Sequence, residues 1–312
     1  MRYVDEGPRS NDVVLLFHGL PTYSYLWRDV IAPIAERERV IAFDQLGQGF
    51  TSRHPSLSYT FKQHLAHAEA FIESLDLAPD AKITVVVHDS GGAVGLAFAS
   101  RHPDRIKGLV FFETVLGPIP SEDVLPARAQ YFRSRAGQRD IIRNNAFVRD
   151  LLFDGHLLVP PSDSPFLVEP LNRAEKLAYA LPYLRRQDRR VTALWPSEIP
   201  TVGDRSTQAS ANLDLFEAYA AYLVSSDTPK LLLFADPGVL IPPAVVPSLE
   251  ATIGANGSLT TVDLGRGFHY LQEDHGSRIG QEIRRWLRNI DGDPETPSPA
   301  FQYQTKKVDV WA

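Results

Sequence analysis

One stretch of the chain combines an apolar strand run, a polar turn and a helix of small residues. It reads ITVVVHDSGGAVGLAFASRHP. This order is typical of a nucleophile elbow, where the nucleophile lies on a strained turn and the residues two positions away on either side must be slim. With Asp89 as the nucleophile, Val87 and Gly91 hold those positions. With Ser90 instead, His88 would hold one of them, so we favour Asp89 and keep Ser90 as the alternative.

The same turn has two interpretations that involve no nucleophile. A Gly-rich turn between a strand and a helix can bind phosphate, and an Asp at this point can simply cap the helix. The other motifs of the chain favour the nucleophile over both.

A second motif, HGLPTYSYLW, follows the apolar run 13–17. After its HG pair, the backbone N–H of Leu20 is predicted to form an oxyanion hole with the N–H of Ser90. For a carboxylate nucleophile the hole acts late, because the oxyanion develops on Asp89 when water attacks an ester intermediate. We interpret His18 as a brace for this loop.

A third motif, LGRGFHYLQED, places His269 after a strand and a Gly-rich turn. A general base must lie within hydrogen-bond reach of a water near Asp89, and a loop at the carboxyl edge of a sheet can deliver it. The order nucleophile, acid, histidine along the chain is the one found in enzymes that carry such an elbow, so we predict that His269 is the base. His275 is interpreted as a solvated residue at a helix start.

The acid that orients the histidine has two candidates. Glu113 ends the apolar strand GLVFFE, where an ionisable group is costly unless it is used. Asp236 follows the strand LLLFA and is the rival. We favour Glu113.

The elements that must position these residues are short β-branched runs, each followed by helix-like periodicity. They lie at 13–17, 40–43, 83–88, 106–113, 230–234 and 259–264. This alternation predicts a mostly parallel sheet with helices on both faces. The long interval before the last two runs is helix-rich, which predicts a helical lobe inserted between two strands; a separate helical domain is the alternative. The predicted division is a core of residues 1–114 and 226–290, a helical cap of residues 115–225 and a flexible tail of residues 291–312.

Composition excludes several classes of function. The 312 residues are 44% hydrophobic, carry a net charge of -6 and include no cysteine. There is no long basic run for nucleic acid, and disulfides and thiolate metal sites are impossible. No apolar run approaches the ~18 residues that span a bilayer, so by default we expect a cytoplasmic protein.

Taken together, these motifs resemble those of the haloalkane dehalogenases, a family of the α/β-hydrolase fold, over residues 1 to about 290. The stretches that carry the resemblance are HGLPTYSYLW, FDQLGQGFTS, VVHDSGG, RHPDRIKGLVFFE, LWPSEIP, TPKLLLFADPGVLIPP and GFHYLQED. The resemblance implies attack by Asp89 on a carbon–halide bond, then hydrolysis of the ester by water that His269 activates. In the most similar branch the acid falls on Glu113. It implies no metal or organic cofactor, a small apolar substrate with water, no nucleic-acid or membrane partner, and a monomer or small homo-oligomer.

The chain departs from the family at the halide site. Family members usually hold the halide with an Asn directly after the HG pair and a Trp directly after the nucleophile, and here these positions are Leu20 and Ser90. A hydrogen bond to a charged group contributes about 1.5–3 kcal/mol, so the loss of two donors is expected to slow halide departure by about 10²–10⁴-fold. The Ser90 hydroxyl is expected to replace part of one donor.

This departure keeps other functions open. An epoxide or β-lactone hydrolase would use the same Asp-His-Glu set, and epoxide opening would need two lobe tyrosines from the candidates Tyr131, Tyr179, Tyr183, Tyr219 and Tyr222. A non-catalytic ligand-binding homologue is the second alternative. The aromatic residues predicted either to line the substrate pocket or to pack are Phe147, Phe153, Trp195, Phe268 and Tyr270.

Overall fold

The computed structural model describes residues 1–10, 12–121, 125, 127–153, 166–203 and 208–293. Within these residues, seven strands form one sheet in the order β1-β3-β2-β4-β5-β6-β7. The strands are β1 Tyr3–Glu6, β2 Val13–Phe17, β3 Arg39–Phe43, β4 Ile83–Asp89, β5 Ile106–Thr114, β6 Lys230–Pro237 and β7 Leu259–Gly267. Neighbouring strands are parallel except β1, which pairs antiparallel with β3. The predicted mostly parallel sheet is confirmed.

Helices cover both faces of this sheet. Their bounds are α1 Arg28–Ala35, α2 Phe61–Glu73, α3 Gly91–Arg101, α4 Ala127–Arg133, α5 Arg135–Asn144, α6 Arg173–Ala180, α7 Arg190–Glu198, α8 Leu213–Ser225, α9 Val246–Thr252 and α10 Leu271–Ile290, and a π-helical turn spans Phe147–Phe153. Side chains alternate along a strand, so Leu15 and Phe17 join one apolar cluster while Val14 and Leu16 join another. The first cluster includes residues of α2 and α3, and the second includes residues of α1 and α10.

The edge strand β1 has no counterpart among the predicted strands. Its sequence YVDE is short and gives little alternation to detect, and its residues are exposed or half-buried. Pairing with β3 holds it in place, with Tyr3 opposite Phe43 and Glu6 opposite Val40.

The helical segment between β5 and β6 packs onto the first apolar cluster. Phe216 and Tyr219 of α8 belong to that cluster, and the ring of Trp195 in α7 lies 5.0 Å from that of Phe61 in α2. The division into core, cap and tail stays a prediction, and residues 294–312 of the predicted tail lie outside the described residues.

None of the helices in the described part of the chain has the length and apolar character to cross a bilayer. The expected cytoplasmic location and oligomeric state stay predictions.

Candidate active site

Asp89 lies on a strained turn between β4 and α3. Its φ is +52°, a left-handed conformation that costs a non-glycine residue about 1–3 kcal/mol. Two close approaches show why small residues surround it: a Cβ on Gly91 would lie 2.3 Å from the carbonyl oxygen of Phe17, and a Cβ on Gly19 would lie 2.2 Å from Oδ1 of Asp89. The Thr114 hydroxyl holds the turn by donating to the Asp89 carbonyl at 2.6 Å. The turn therefore has the geometry expected of a nucleophile elbow.

One carboxylate oxygen of Asp89 is held by hydrogen-bond donors. The backbone N–H of Leu20 and the hydroxyl of Ser90 each donate to Oδ1 at 2.8 Å, and the backbone N–H of Ser90 is among the groups that lower the pKa of this carboxylate. His18 is buried beneath the loop, where its Nε2 accepts the Gln45 N–H at 2.9 Å. Of the two N–H groups predicted for an oxyanion hole, that of Leu20 donates to Oδ1 of Asp89, and that of Ser90 acts on the pKa of the same carboxylate.

His269 stands between two carboxylates. Its Nε2 lies 3.3 Å from Oδ2 of Asp89, and its Nδ1 lies 3.1 Å from Oε2 of Glu113. The histidine is buried, in the loop between β7 and α10. The structure thus brings the three predicted residues into contact, with a hydrogen bond between Glu113 and His269 and an ion-pair contact between His269 and Asp89. The histidine faces Oδ2 of Asp89, whereas Leu20 and Ser90 bind Oδ1.

Glu113 is 1% exposed and lies near the end of β5 with a φ of +43°. Besides His269, its carboxylate accepts the N–H groups of Val239, Leu240 and Ile241 at 3.0, 2.9 and 3.0 Å. These donors belong to the loop that follows β6, so that loop wraps the acid and compensates its burial.

The rival acid lies elsewhere. Asp236 is exposed in β6, opposite Arg266 of β7, and the Nδ1 of His269 is taken by Glu113. The geometry therefore supports Glu113 over Asp236 as the acid of the site.

The charges of the site shift its pKa values in opposite directions. Burial alone would lower the pKa of His269, but hydrogen bonds to Asp89 and Glu113 and their charges outweigh it and raise that pKa to about 9. Burial alone would raise the pKa of the carboxyl groups of Asp89 and Glu113. The hydrogen bond and charge of His269 outweigh burial and lower both pKa values. The two carboxylates thus favour the imidazolium form of His269, and the imidazolium in turn favours the ionised form of both carboxylates.

The directions of these pKa shifts predict how the pKa of His269 changes when Asp89 is substituted. Asp89→Asn removes a hydrogen-bonded anion, so the pKa of His269 is expected to fall below about 9. An NMR titration of the ring nitrogens checks this shift. The exposed acid Asp236 provides the control, because Asp236→Asn should leave the titration of His269 unchanged. An unchanged pKa in Asp89→Asn would contradict the proposed charge coupling.

His88 is a site residue that sequence reasoning treated only as a bulky neighbour. Its Nε2–H donates to the carbonyl of His269 at 2.9 Å, and the two rings lie 4.8 Å apart. Burial, with the neighbouring imidazole of His269, lowers the pKa of His88 to about 3, so this ring stays neutral and positions the loop. The position of this histidine at the end of the apolar run VVVHD could have indicated its role, because a buried polar group needs a hydrogen-bond partner.

The predicted pocket residues have packing partners. Trp195 is fully buried and donates through Nε1 to Nε2 of His64 at 2.7 Å, and Phe147 packs on Phe132 with a ring distance of 4.4 Å. Tyr270 is also fully buried, and its hydroxyl donates to the Leu20 carbonyl at 3.1 Å, which ties the histidine loop to the oxyanion loop.

Phe268 and Phe153 are the other two aromatic residues predicted either to line the pocket or to pack. Phe268 directly precedes the histidine and is 6% exposed. The side chain of Phe153 lies outside the described residues. A role in the pocket stays a prediction for all five.

The lobe tyrosines considered for epoxide opening have hydroxyls that bond to groups other than Asp89. Their partners are Asp140 for Tyr131, Glu273 for Tyr179, Thr22 and Gly49 for Tyr183, Val115 for Tyr219 and Thr228 for Tyr222. These bonds do not support a pair of donors for an epoxide oxygen.

Comparisons with known proteins agree with this geometry. A family model described as alpha/beta hydrolase fold matches residues 12–275. A haloalkane dehalogenase of Mycolicibacterium smegmatis is 32% identical over 297 residues, which cover 93% of this chain and 88% of that protein. A haloalkane dehalogenase of Sphingobium indicum is 33% identical over 298 residues, with coverage of 93% and 92%.

Solved structures give the same result. The chain superposes on a putative ancestral haloalkane dehalogenase with a TM-score of 0.81 and 31% identity, covering 93% of this chain and 96% of that one. The haloalkane dehalogenase DbeA from Bradyrhizobium elkani matches with a TM-score of 0.81 and 30% identity, covering 93% and 94%.

Proposed function

Because the chain belongs to the haloalkane dehalogenases of the α/β-hydrolase fold, we propose that it hydrolyses the carbon–halide bond of a small apolar organic halide. Water is the second substrate, and the products are an alcohol, a halide ion and a proton. The observation that carries the proposal is the position of His269, with Nδ1 at 3.1 Å from Glu113 and Nε2 at 3.3 Å from Asp89. A ligand-binding homologue without turnover would have no need to hold three ionisable side chains in this buried arrangement.

In the first step we assign the attack to Oδ2 of Asp89. This oxygen forms a bond to the carbon as the carbon–halide bond breaks, and the halide leaves with the bonding electron pair. Oδ1 already accepts the Leu20 N–H and the Ser90 hydroxyl, so it becomes the carbonyl oxygen of the alkyl ester.

In the second step water cleaves the ester. His269 Nε2 takes one proton from the water as its oxygen adds to Cγ of Asp89, and negative charge collects on Oδ1. Collapse breaks the bond between Cγ and Oδ2, and the proton on His269 passes to Oδ2 to give the alcohol. The remaining carboxyl proton is released to solvent, and Glu113 stabilises the transient imidazolium.

Ester formation also prepares the base. Alkylation removes the charge of Asp89, one of the causes that raise the pKa of His269. The pKa of the histidine therefore falls once the ester has formed, and the neutral ring can accept a proton from water.

The test is to trap the ester. In His269→Ala, incubation with a 1-bromoalkane should release one equivalent of bromide and leave an alkyl adduct on Asp89, because attack remains and the base is lost. Mass spectrometry of the peptide that contains Asp89 checks this. The matched control is His275→Ala, a residue of α10 whose Nε2 bonds to the Arg266 carbonyl and whose loss should leave turnover in place.

An isotope experiment on the wild type separates this route from direct attack by water. In a single turnover in ¹⁸O-labelled water, the alcohol should carry unlabelled oxygen from Oδ2. A labelled alcohol, or the absence of any adduct in His269→Ala, would refute the proposed mechanism.

A further inference from the structure

We propose that the hydroxyl of Ser90 is a third donor of the oxyanion hole, which accelerates hydrolysis of the ester and takes no part in halide departure. This inference rests on the proposed function. It assigns to Ser90 a role different from that of a halide ligand.

The first argument is where the hydroxyl points. Ser90 is 4% exposed, and its Oγ–H donates to Oδ1 of Asp89 at 2.8 Å, the same oxygen and the same distance as the Leu20 N–H. A serine hydroxyl has one hydrogen to donate. While it binds Oδ1, it has none for a halide, and the side chain of Leu20 has no polar hydrogen at all.

The second argument is how charge moves on Oδ1. During alkylation, negative charge leaves the carboxylate for the halide, so donors on Oδ1 stabilise the starting state more than the transition state. During hydrolysis, negative charge grows on the same oxygen, and its donors stabilise the transition state more than the ester. A donor on Oδ1 therefore slows the first step or leaves it unchanged, and it speeds the second.

These two arguments describe a site that favours the second step over the first. With neither position 20 nor position 90 donating a side-chain hydrogen to the halide, departure depends more strongly on the leaving ability of the halide itself. We therefore expect a strong preference for bromide and iodide over chloride as leaving groups.

The test separates the two steps by rapid-quench single turnovers of Ser90→Ala. Ester formation, followed as halide release, should proceed at the wild-type rate or up to about 5-fold faster. Ester hydrolysis, followed as alcohol release, should slow by about 10- to 100-fold because one oxyanion donor is lost. Alkyl-enzyme should accumulate in steady state, which mass spectrometry detects on the peptide that contains Asp89.

A matched pair of variants distinguishes the loss of the hydroxyl from a general disturbance of the turn. Ser90→Thr keeps the hydroxyl, and Ser90→Val replaces the hydroxyl of that threonine with a methyl group of similar shape, so ester hydrolysis should be slower in the valine variant than in the threonine variant. Ser100→Ala is the remote control on α3, since its Oγ donates to the Ala97 carbonyl of its own helix. It should behave as wild type in both steps.

The ratio of alkylation rates for a chloroalkane and the matching bromoalkane adds a readout specific to the halide. Ser90→Ala should leave this ratio unchanged. A selective loss on the chloroalkane would show that the hydroxyl binds the halide and would overturn the inference, as would equal slowing of both steps or unchanged hydrolysis. The absence of an adduct in His269→Ala is a separate result that would instead refute the proposed function.

Discussion

Asp89→Asn is expected to lower dehalogenation of a bromoalkane by about 10⁴-fold or more, because a neutral amide nitrogen or oxygen is a poor nucleophile toward carbon. The substitution keeps the size of the side chain, and its amide oxygen can still accept the Leu20 N–H that now bonds to Oδ1. Bromide release with time, followed beside the thermal unfolding of both proteins, measures the effect. The variant should remain folded, so the loss reports on chemistry.

The same variant decides between the two nucleophiles that the sequence allowed. If Asp89 attacks, the double variant Asp89→Asn with His269→Ala forms no adduct on any residue. If Ser90 attacks, an adduct appears on Ser90 in that double variant, and the assignment of Asp89 is wrong. The control Asp236→Asn changes an exposed carboxylate of β6 and should keep wild-type activity.

Glu113→Ala is expected to lower both activity and stability. The substitution leaves three backbone N–H groups of the loop after β6 and the Nδ1 of His269 without their acceptor. Breaking a buried, hydrogen-bonded charge arrangement by removing one partner costs about 3–5 kcal/mol of unfolding free energy. Turnover should fall by about 10⁴-fold, as for the loss of the acid in comparable triads.

Urea unfolding at neutral pH and steady-state kinetics measure the two effects. Glu113→Gln keeps the shape and is expected to lose less stability, since its amide oxygen still accepts some of the loop N–H groups. Asp236→Ala is the control for the rival acid and should change neither quantity. If Asp236→Ala were the variant that lost activity, Glu113 would not be the acid of the site.

The stability contribution of Glu113 has a defined dependence on pH. Its pKa is lowered in the folded protein, so its contribution is fully present above the pKa of about 4.3 that a glutamate has in the unfolded chain. It is lost as the pH falls through the lower, folded value. The stability difference between wild type and Glu113→Gln should therefore be largest at neutral pH and shrink in acid. A constant difference over that range would contradict the coupling.

Much of the candidate site follows from local sequence. The elbow around Asp89 is visible because a strained turn requires slim residues at positions that lie only two steps away along the chain. The parallel sheet follows from β-branched runs that alternate with helical periodicity, and it is confirmed by the strand order. The edge strand β1 could not be predicted, because a strand of only four residues, all exposed or half-buried, carries no comparable pattern.

The choice of the acid illustrates what local pattern leaves open. Glu113 and Asp236 both stand after apolar runs in the sequence. The sequence alone distinguishes these two candidate acids only by the expected cost of burying a charge. Glu113 meets His269 across 156 residues of sequence. That contact depends on the turn of the backbone at the end of β5 and on the loop after β6 that supplies N–H donors to the carboxylate.

By itself, the sequence determined the residue types of the site, the elbow and the family. The tertiary structure decided which donor atom faces which oxygen of the Asp89 carboxylate. Both donors from Leu20 and Ser90 meet on Oδ1 while His269 meets Oδ2, and His88 holds the carbonyl of the histidine loop. The physical reason is that a turn is governed by neighbours in sequence, whereas the direction of a hydroxyl or imidazole is governed by groups brought together by the sheet and its loops.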